Sequence, residues 1–104
     1  MNGYQLHPEV VTDLDEIWEY IAEDNLDAAD RVIADIFDSI RALVAFPHQG
    51  FRRPDLTAHP LRFRLVRDYY LIAYAPDENP LLVIAVLHGS RSPRVMTAIL
   101  RGRR

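Results

Sequence analysis

Residues 69–88, YYLIAYAPDENPLLVIAVLH, carry the pattern on which the architecture turns. Two apolar runs, Tyr69 to Ala75 and Leu81 to His88, flank Pro76-Asp77-Glu78-Asn79-Pro80, a cluster that reads as a turn. Side chains along a strand alternate between faces, so Tyr70, Ile72 and Tyr74 oppose Tyr69, Leu71 and Ala73, while Leu82, Ile84 and Val86 oppose Val83, Ala85 and Leu87. Both faces of this hairpin are apolar. A sheet with one face in water would instead alternate apolar with polar.

Just upstream, Leu61, Phe63 and Leu65 alternate with Arg62 and Arg64, and Arg67-Asp68 forms a turn into Tyr69, so three strands make an antiparallel meander. Residues 47–60, with Gly50, Pro54 and Pro60, read as an ordered loop. Before it, Ala29, Val32, Ile33, Ile36, Phe37, Ile40, Leu43 and Val44 recur with helical spacing and stop at Phe46-Pro47. Asn25 is a good N-cap for that helix. A first helix opens at Pro8 and places Val10, Leu14, Ile17, Trp18 and Ile21 on one side, with Asp13, Asp15, Glu16, Glu19 and Glu23 expected on a solvated side. The short connection between the helices requires an antiparallel hairpin. Gly3 to His7 reads as a first strand. At the other end Ser92-Pro93 caps a short helix from Arg94 to about Leu100, followed by a mobile tail with Arg101, Arg103 and Arg104. The expectation is one α+β domain over residues 1–104: an antiparallel sheet, built from the N-terminal strand and the C-terminal meander, packed on a helical hairpin, with a short C-terminal helix.

The hairpin covers one sheet face, and the last helix offers only Val95, Met96, Ile99 and Leu100 for the other. An uncovered apolar surface points to a partner. The sealing of that face by residues 47–60 and the last helix is the alternative. Residues expected at a partner surface are Tyr69, Leu71, Val83, Leu87 and Met96, with Arg62, Arg64 and Arg91.

Composition narrows the function classes. No run approaches the roughly 18 apolar residues of a membrane span, and no secretory leader pattern opens the chain, so a cytoplasmic protein is expected. Cysteine is absent, which removes disulfides and thiolate chemistry. Four scattered histidines, His7, His48, His59 and His88, and four isolated glycines give neither a metal motif nor a phosphate loop, so no metal or cofactor is expected. Charge is unevenly distributed. Residues 1–50 carry a net −9 and residues 51–104 a net +6, and all twelve basic residues are arginine. Arginine favours planar contacts with phosphate or carboxylate. His88-Gly89-Ser90-Arg91 is the most suggestive string: it ends the last strand with a histidine, the residue type whose charge can change near neutral pH, and Arg62, Arg64, Arg67 and Arg91 could gather around it if the strands bring them together. Metal-free RNA cleavage needs a base, an acid and cations, and the chain offers no evident second proton carrier beside His88. The candidates for such chemistry are His88, Arg62, Arg64 and Arg91, set against a plain strand-end role for the histidine.

The order and spacing of Leu6-His7-Pro8-Glu9, Asp13-Leu14-Asp15-Glu16-Ile17, Tyr20-Ile21, Ala28-Ala29, Leu43 to Pro47, Gly50, Arg62, Tyr70 to Tyr74 and Val86-Leu87-His88-Gly89-Ser90-Arg91 resemble the RelE/ParE superfamily of bacterial toxins over essentially the whole chain. The resemblance implies a toxin subunit of a type II toxin-antitoxin pair, held in a hetero-oligomer by an antitoxin segment that wraps its groove and sheet edge. It also implies roles in growth regulation and plasmid stabilisation. RelE-like members cut mRNA on the ribosome, and ParE-like members poison DNA gyrase. Gly89 stands where a catalytic tyrosine often follows in the nucleases, and no lysine is present. The long hairpin and the His-Gly-Ser-Arg ending look more like ParE. The resemblance thus implies a binding-type gyrase inhibitor, with a metal-independent endoribonuclease acting on ribosome-bound mRNA as the alternative.

Overall fold

The computed structural model describes residues 3–103. Strand β1 (Tyr4–Leu6) leads into helix α1 (Pro8–Ala22), where Pro8 occupies the first turn and the His7 Nδ1 accepts the Glu9 N–H at 3.1 Å. Helix α2 (Leu26–Ala45) begins at Asn25, whose side-chain oxygen accepts the Ala28 N–H at 3.0 Å, and ends before Pro47. A 3-10 turn (Pro47–Gln49) opens the long loop, and strands β2 (Arg62–Val66), β3 (Tyr70–Ala75) and β4 (Leu81–His88) form the meander. Helix α3 (Pro93–Arg103) follows.

The sheet order is β1-β4-β3-β2, with antiparallel pairing from β4 through β2. The α+β architecture agrees with the sequence reading, but the sheet is mixed, because β1 lies parallel to β4 with Tyr4 opposite Leu81 and Leu6 opposite Val83. The helical hairpin carries the chain away from β1 and returns it at the far edge, so β1 meets β4 only after the meander has been laid down. Alternation along β4 also breaks once. Ala73 pairs with Ala85 and Tyr74 with Val83, which leaves Ile84 as the extra residue of a bulge. Val83 therefore joins Val86 on the hairpin side, while Ile84 and Ala85 both face away from it.

Two cores result, one on each sheet face. Val10, Leu14, Val32, Ile36, Ile40 and Leu43 of the hairpin pack on Val66, Tyr70, Ile72, Tyr74, Val83 and Val86. On the other face Leu71, Ala73, Ile84, Ala85 and Leu87 are buried beneath Leu56 and Leu61 of the loop and Met96 and Leu100 of α3. The second face is thus largely sealed by the chain itself. The expected shortfall of cover disappears because the loop contributes leucines and α3 runs to Arg103, beyond the predicted end near Leu100. Arg101 and Arg103 are helical, not part of a mobile tail; Arg104 lies outside the described residues.

Arg103 also explains how α3 is held. Its guanidinium forms a two-pronged ion pair with Asp13 of α1, at 2.5 Å to Oδ2 and 2.8 Å to Oδ1, and donates to the Ile84 carbonyl at 3.2 Å. Asp13 Oδ2 accepts the Val86 N–H at 3.0 Å. Because β1 pairs only as far as Val83, these backbone groups of β4 face an edge with no strand beside it among the described residues, and the ion pair satisfies them. Asp13 is therefore buried, contrary to its expected place on the solvated side of α1.

Candidate functional site

His88 ends β4, and two local bonds fix its ring. Nδ1 accepts the Ser90 N–H at 3.1 Å and lies 2.7 Å from Ser90 Oγ. A backbone N–H always donates, so the neutral imidazole carries its proton on Nε2 and the serine hydroxyl donates to Nδ1. The ring also meets Tyr70 edge to face, with centroids 5.4 Å apart. This is the strand-end role weighed for His88, and it adds a serine that the sequence placed nearby without showing contact. As a nucleophile-base pair it is incomplete, because no carboxylate accepts from the His88 Nε2–H among the described residues.

A hollow of about 410 Å³ opens beside His88, lined by Asp13, Glu16, Ile17, Tyr20, Tyr70, Val86, Ser90 and Arg91. It lies between the second half of α1 and the open edge of β4. Burial pushes the Tyr70 phenol above its ordinary pKa, and the nearby Tyr20 adds to that, so Tyr70 stays protonated through the neutral range. Glu16, Tyr20 and Tyr70 are acid-base side chains beside the hollow that the sequence did not connect to His88, since they come from α1 and β3. The one available signal was that Glu16 and Tyr20 stand one helical turn apart.

The arginines do not converge there. Arg62 donates to the Gly50 carbonyl at 2.8 Å and Arg64 to Gln49 Oε1 at 2.6 Å, both on the loop that follows α2. Arg67 pairs with Asp35 of α2. Arg62 pairs in register with Tyr74 and His88 with Tyr70, so four residues and two strand spacings, roughly 15 Å, separate Arg62 from His88. Arg91 alone of the candidate cations lines the hollow.

The expected partner residues are divided in the same way. Leu71, Leu87 and Met96 are buried in the second core and Val83 in the first, although Leu71 and Met96 reach the wall of a hollow at the surface. Tyr69 is 63% exposed and flanks a second hollow of about 440 Å³ with Phe51, Leu65, Gly89 and Met96 at its walls. His88 and Ser90 line both hollows.

Comparison with curated proteins gave no match. The family model for the ParE toxin of the type II toxin-antitoxin system, parDE, matches residues 4–93, from β1 to the first residue of α3. That span holds the hairpin, the meander and the His88 turn, and the chain belongs to the ParE toxin family of type II toxin-antitoxin systems.

Proposed function

We infer that the protein inhibits DNA gyrase by binding, and so blocks replication, until its cognate antitoxin neutralises it. The observation that carries this reading is the commitment of Arg62 and Arg64 to Gly50 and Gln49, and of Arg67 to Asp35. A phosphodiester-cleaving site needs several cations around the developing charge, and here Arg91 is the one beside His88. Binding needs no such set. The test is purified toxin added to gyrase with relaxed plasmid, reading supercoiling and trapped cleaved DNA. Inhibition that is relieved by the antitoxin is expected, and unaffected supercoiling at micromolar toxin would overturn the reading.

One observation favours a second reading, a ribosome-dependent endoribonuclease. The 410 Å³ hollow is lined by Glu16, Tyr20 and Tyr70 as well as His88, which offers candidates for the second proton carrier that was not evident in the sequence. Codon-phased mRNA cleavage that disappears in His88→Ala would establish it, and translation unaffected by the toxin would exclude it.

A further inference from the structure

The sheet separates the molecule's charges. Helices α1 and α2, which hold most of the acids, lie on one face, and the 52–60 loop and α3 lie on the other. Several arginines of the basic half are already neutralised or engaged. Arg53 is bound by Asp55 through two bonds of 2.8–2.9 Å, Arg103 by Asp13, Arg67 by Asp35, and Arg62 and Arg64 by the loop after α2. Arg52, Arg91, Arg94 and Arg101 have no ion pair among the described residues, and all four are exposed.

Three of them, Arg52, Arg94 and Arg101, lie on or beside one surface, whereas Arg91 lines the 410 Å³ hollow with Asp13 and Glu16. Arg94 and Arg101 are seven residues apart on α3, about two turns and about 10 Å along one side of the helix. Thr97 falls between them on that side and faces the loop, because Thr97, Arg101 and His59 line one depression of about 320 Å³. His59 also lines the adjoining depression with Arg52. No Asp or Glu occurs after Glu78, so α3 carries no acid, and the carboxylate that lines the depression, Asp55, is held by Arg53.

We propose that this surface of α3 and the 52–60 loop holds the phosphate backbone of duplex DNA, without reading its sequence. The inference rests on the gyrase reading for its choice of duplex, since gyrase presents DNA beside any protein bound to it. The chemistry of the surface separates a phosphate backbone from an acidic peptide. A protein partner needs an apolar centre within its footprint, whereas between Arg94 and Arg101 this side of the helix carries Thr97 and Ala98. Small residues let a backbone approach closely, and arginines that neutralise phosphates gain their affinity from released counterions alone. The acidic hairpin on the far side of the sheet keeps DNA to this one surface by repulsion.

Fluorescence anisotropy of a labelled 20-base-pair duplex of arbitrary sequence tests the proposal on the full chain, with single-stranded RNA of equal length and poly-glutamate as comparison probes. Three phosphate contacts predict a plot of log affinity against log salt with a slope of about −3. Arg94→Ala with Arg101→Ala should cut affinity about tenfold at moderate salt and reduce the slope by about two. Arg31→Ala, on the hairpin, should change neither. Both substituted arginines are exposed, and an unchanged circular dichroism spectrum will show that the fold survives. No duplex binding at low salt, equal loss in the Arg31 variant, or preference for RNA or poly-glutamate over the duplex would overturn the proposal. The gyrase assay reports separately: duplex binding without gyrase inhibition removes the target and leaves the surface, and inhibition without duplex binding does the reverse.

Discussion

Replacing Arg103 with alanine should produce one of the largest losses of stability available to a side chain so near the end of the chain. The guanidinium and the Asp13 carboxylate are only 13% and 9% exposed, and they join residues 90 apart in sequence. Burial opposes the charge on Arg103, but the hydrogen bond to Asp13 outweighs it and holds its pKa above the usual arginine value. Arg103→Ala leaves a buried carboxylate with the Val86 N–H as its one remaining partner and deprives the Ile84 carbonyl of its donor. Breaking a buried pair from one side costs about 3–5 kcal/mol. Asp13 borders the 410 Å³ hollow, where water can reach it, so the lower end of about 3 kcal/mol applies here. Unfolding entropy of about 2 cal/mol/K per residue converts that to a fall in Tm of about 14 °C for a chain of this length. Differential scanning fluorimetry and urea denaturation measure it. Arg101→Ala, exposed on the same helix, should stay within about 0.5 kcal/mol of the parent. A double-mutant cycle with Asp13→Asn should return a coupling of about 2 kcal/mol. If Arg103→Ala falls no further than Arg101→Ala, the ion pair does not hold α3 in solution.

Tyr74→Phe removes a hydroxyl that donates to the Pro47 carbonyl at 2.6 Å and accepts the Gly50 N–H at 3.0 Å, and should cost about 1–3 kcal/mol in urea denaturation by leaving two backbone groups unpaired. Burial raises the pKa of the Tyr74 and Tyr70 phenols above the ordinary value of 10.0, so the native state keeps these protons longer than the unfolded chain. That contribution is intact below pH 10 and is lost as pH rises through the native values; their phenolate absorbance near 295 nm should appear late, together with unfolding. Gly50→Ala would bring a Cβ within 2.4 Å of the Tyr74 hydroxyl and 2.7 Å of the Phe63 carbonyl, and a loss of about 2 kcal/mol is expected in the same denaturation assay. Asp68→Gly should do the opposite, because Arg67 and Asp68 both have positive φ in the β2-β3 turn, and removing the Cβ at Asp68 should raise stability by about 1 kcal/mol.

How much the sequence disclosed depended on how local each cause is. The hairpin was legible because Val32, Ile36, Ile40 and Leu43 repeat with the helical period and Asn25 and Pro47 mark its ends. The meander was legible from two proline-bounded apolar runs. The bulge at Ile84 was not, because every residue from Leu81 to Leu87 is apolar, and such a run looks the same whichever way an extra residue turns it. Parallel pairing of β1 was hidden in a three-residue strand whose partner lies 77 positions away. Asp13 resembles its neighbours Asp15 and Glu16, and only the arrival of Arg103 makes it an interior residue. At the candidate site, His88 and Arg91 were found from one string, while Glu16, Tyr20 and Tyr70 reach it from other elements. Arg62 and Arg64 were misplaced, because strand alternation gives their face of the sheet without saying that the loop after α2 would take their donors.

The self-sealed second face changes what an antitoxin has to do. Had Leu71 and Leu87 been bare, covering them would have been reason enough for a partner to bind. They lie instead beneath Met96, Leu100 and Leu56, so the affinity must come from apolar side chains that are actually exposed. On the hairpin these are Val11, Tyr20 and Leu26, and at the open side of the second face Phe51, Leu65 and Tyr69. The second group borders the 440 Å³ hollow that His88 also lines, and the first includes Tyr20 of the 410 Å³ hollow. The end of β4 is therefore the place where one extended segment could touch Tyr20 together with Phe51, Leu65 and Tyr69. The outward backbone groups of Ile84 and Val86 there are already taken by Arg103 and Asp13, so the contact must come from the aromatic side chains on either side of the strand end. A segment bound in that way would leave the outward side of α3 uncovered, and the arginines there would remain open to a phosphate backbone.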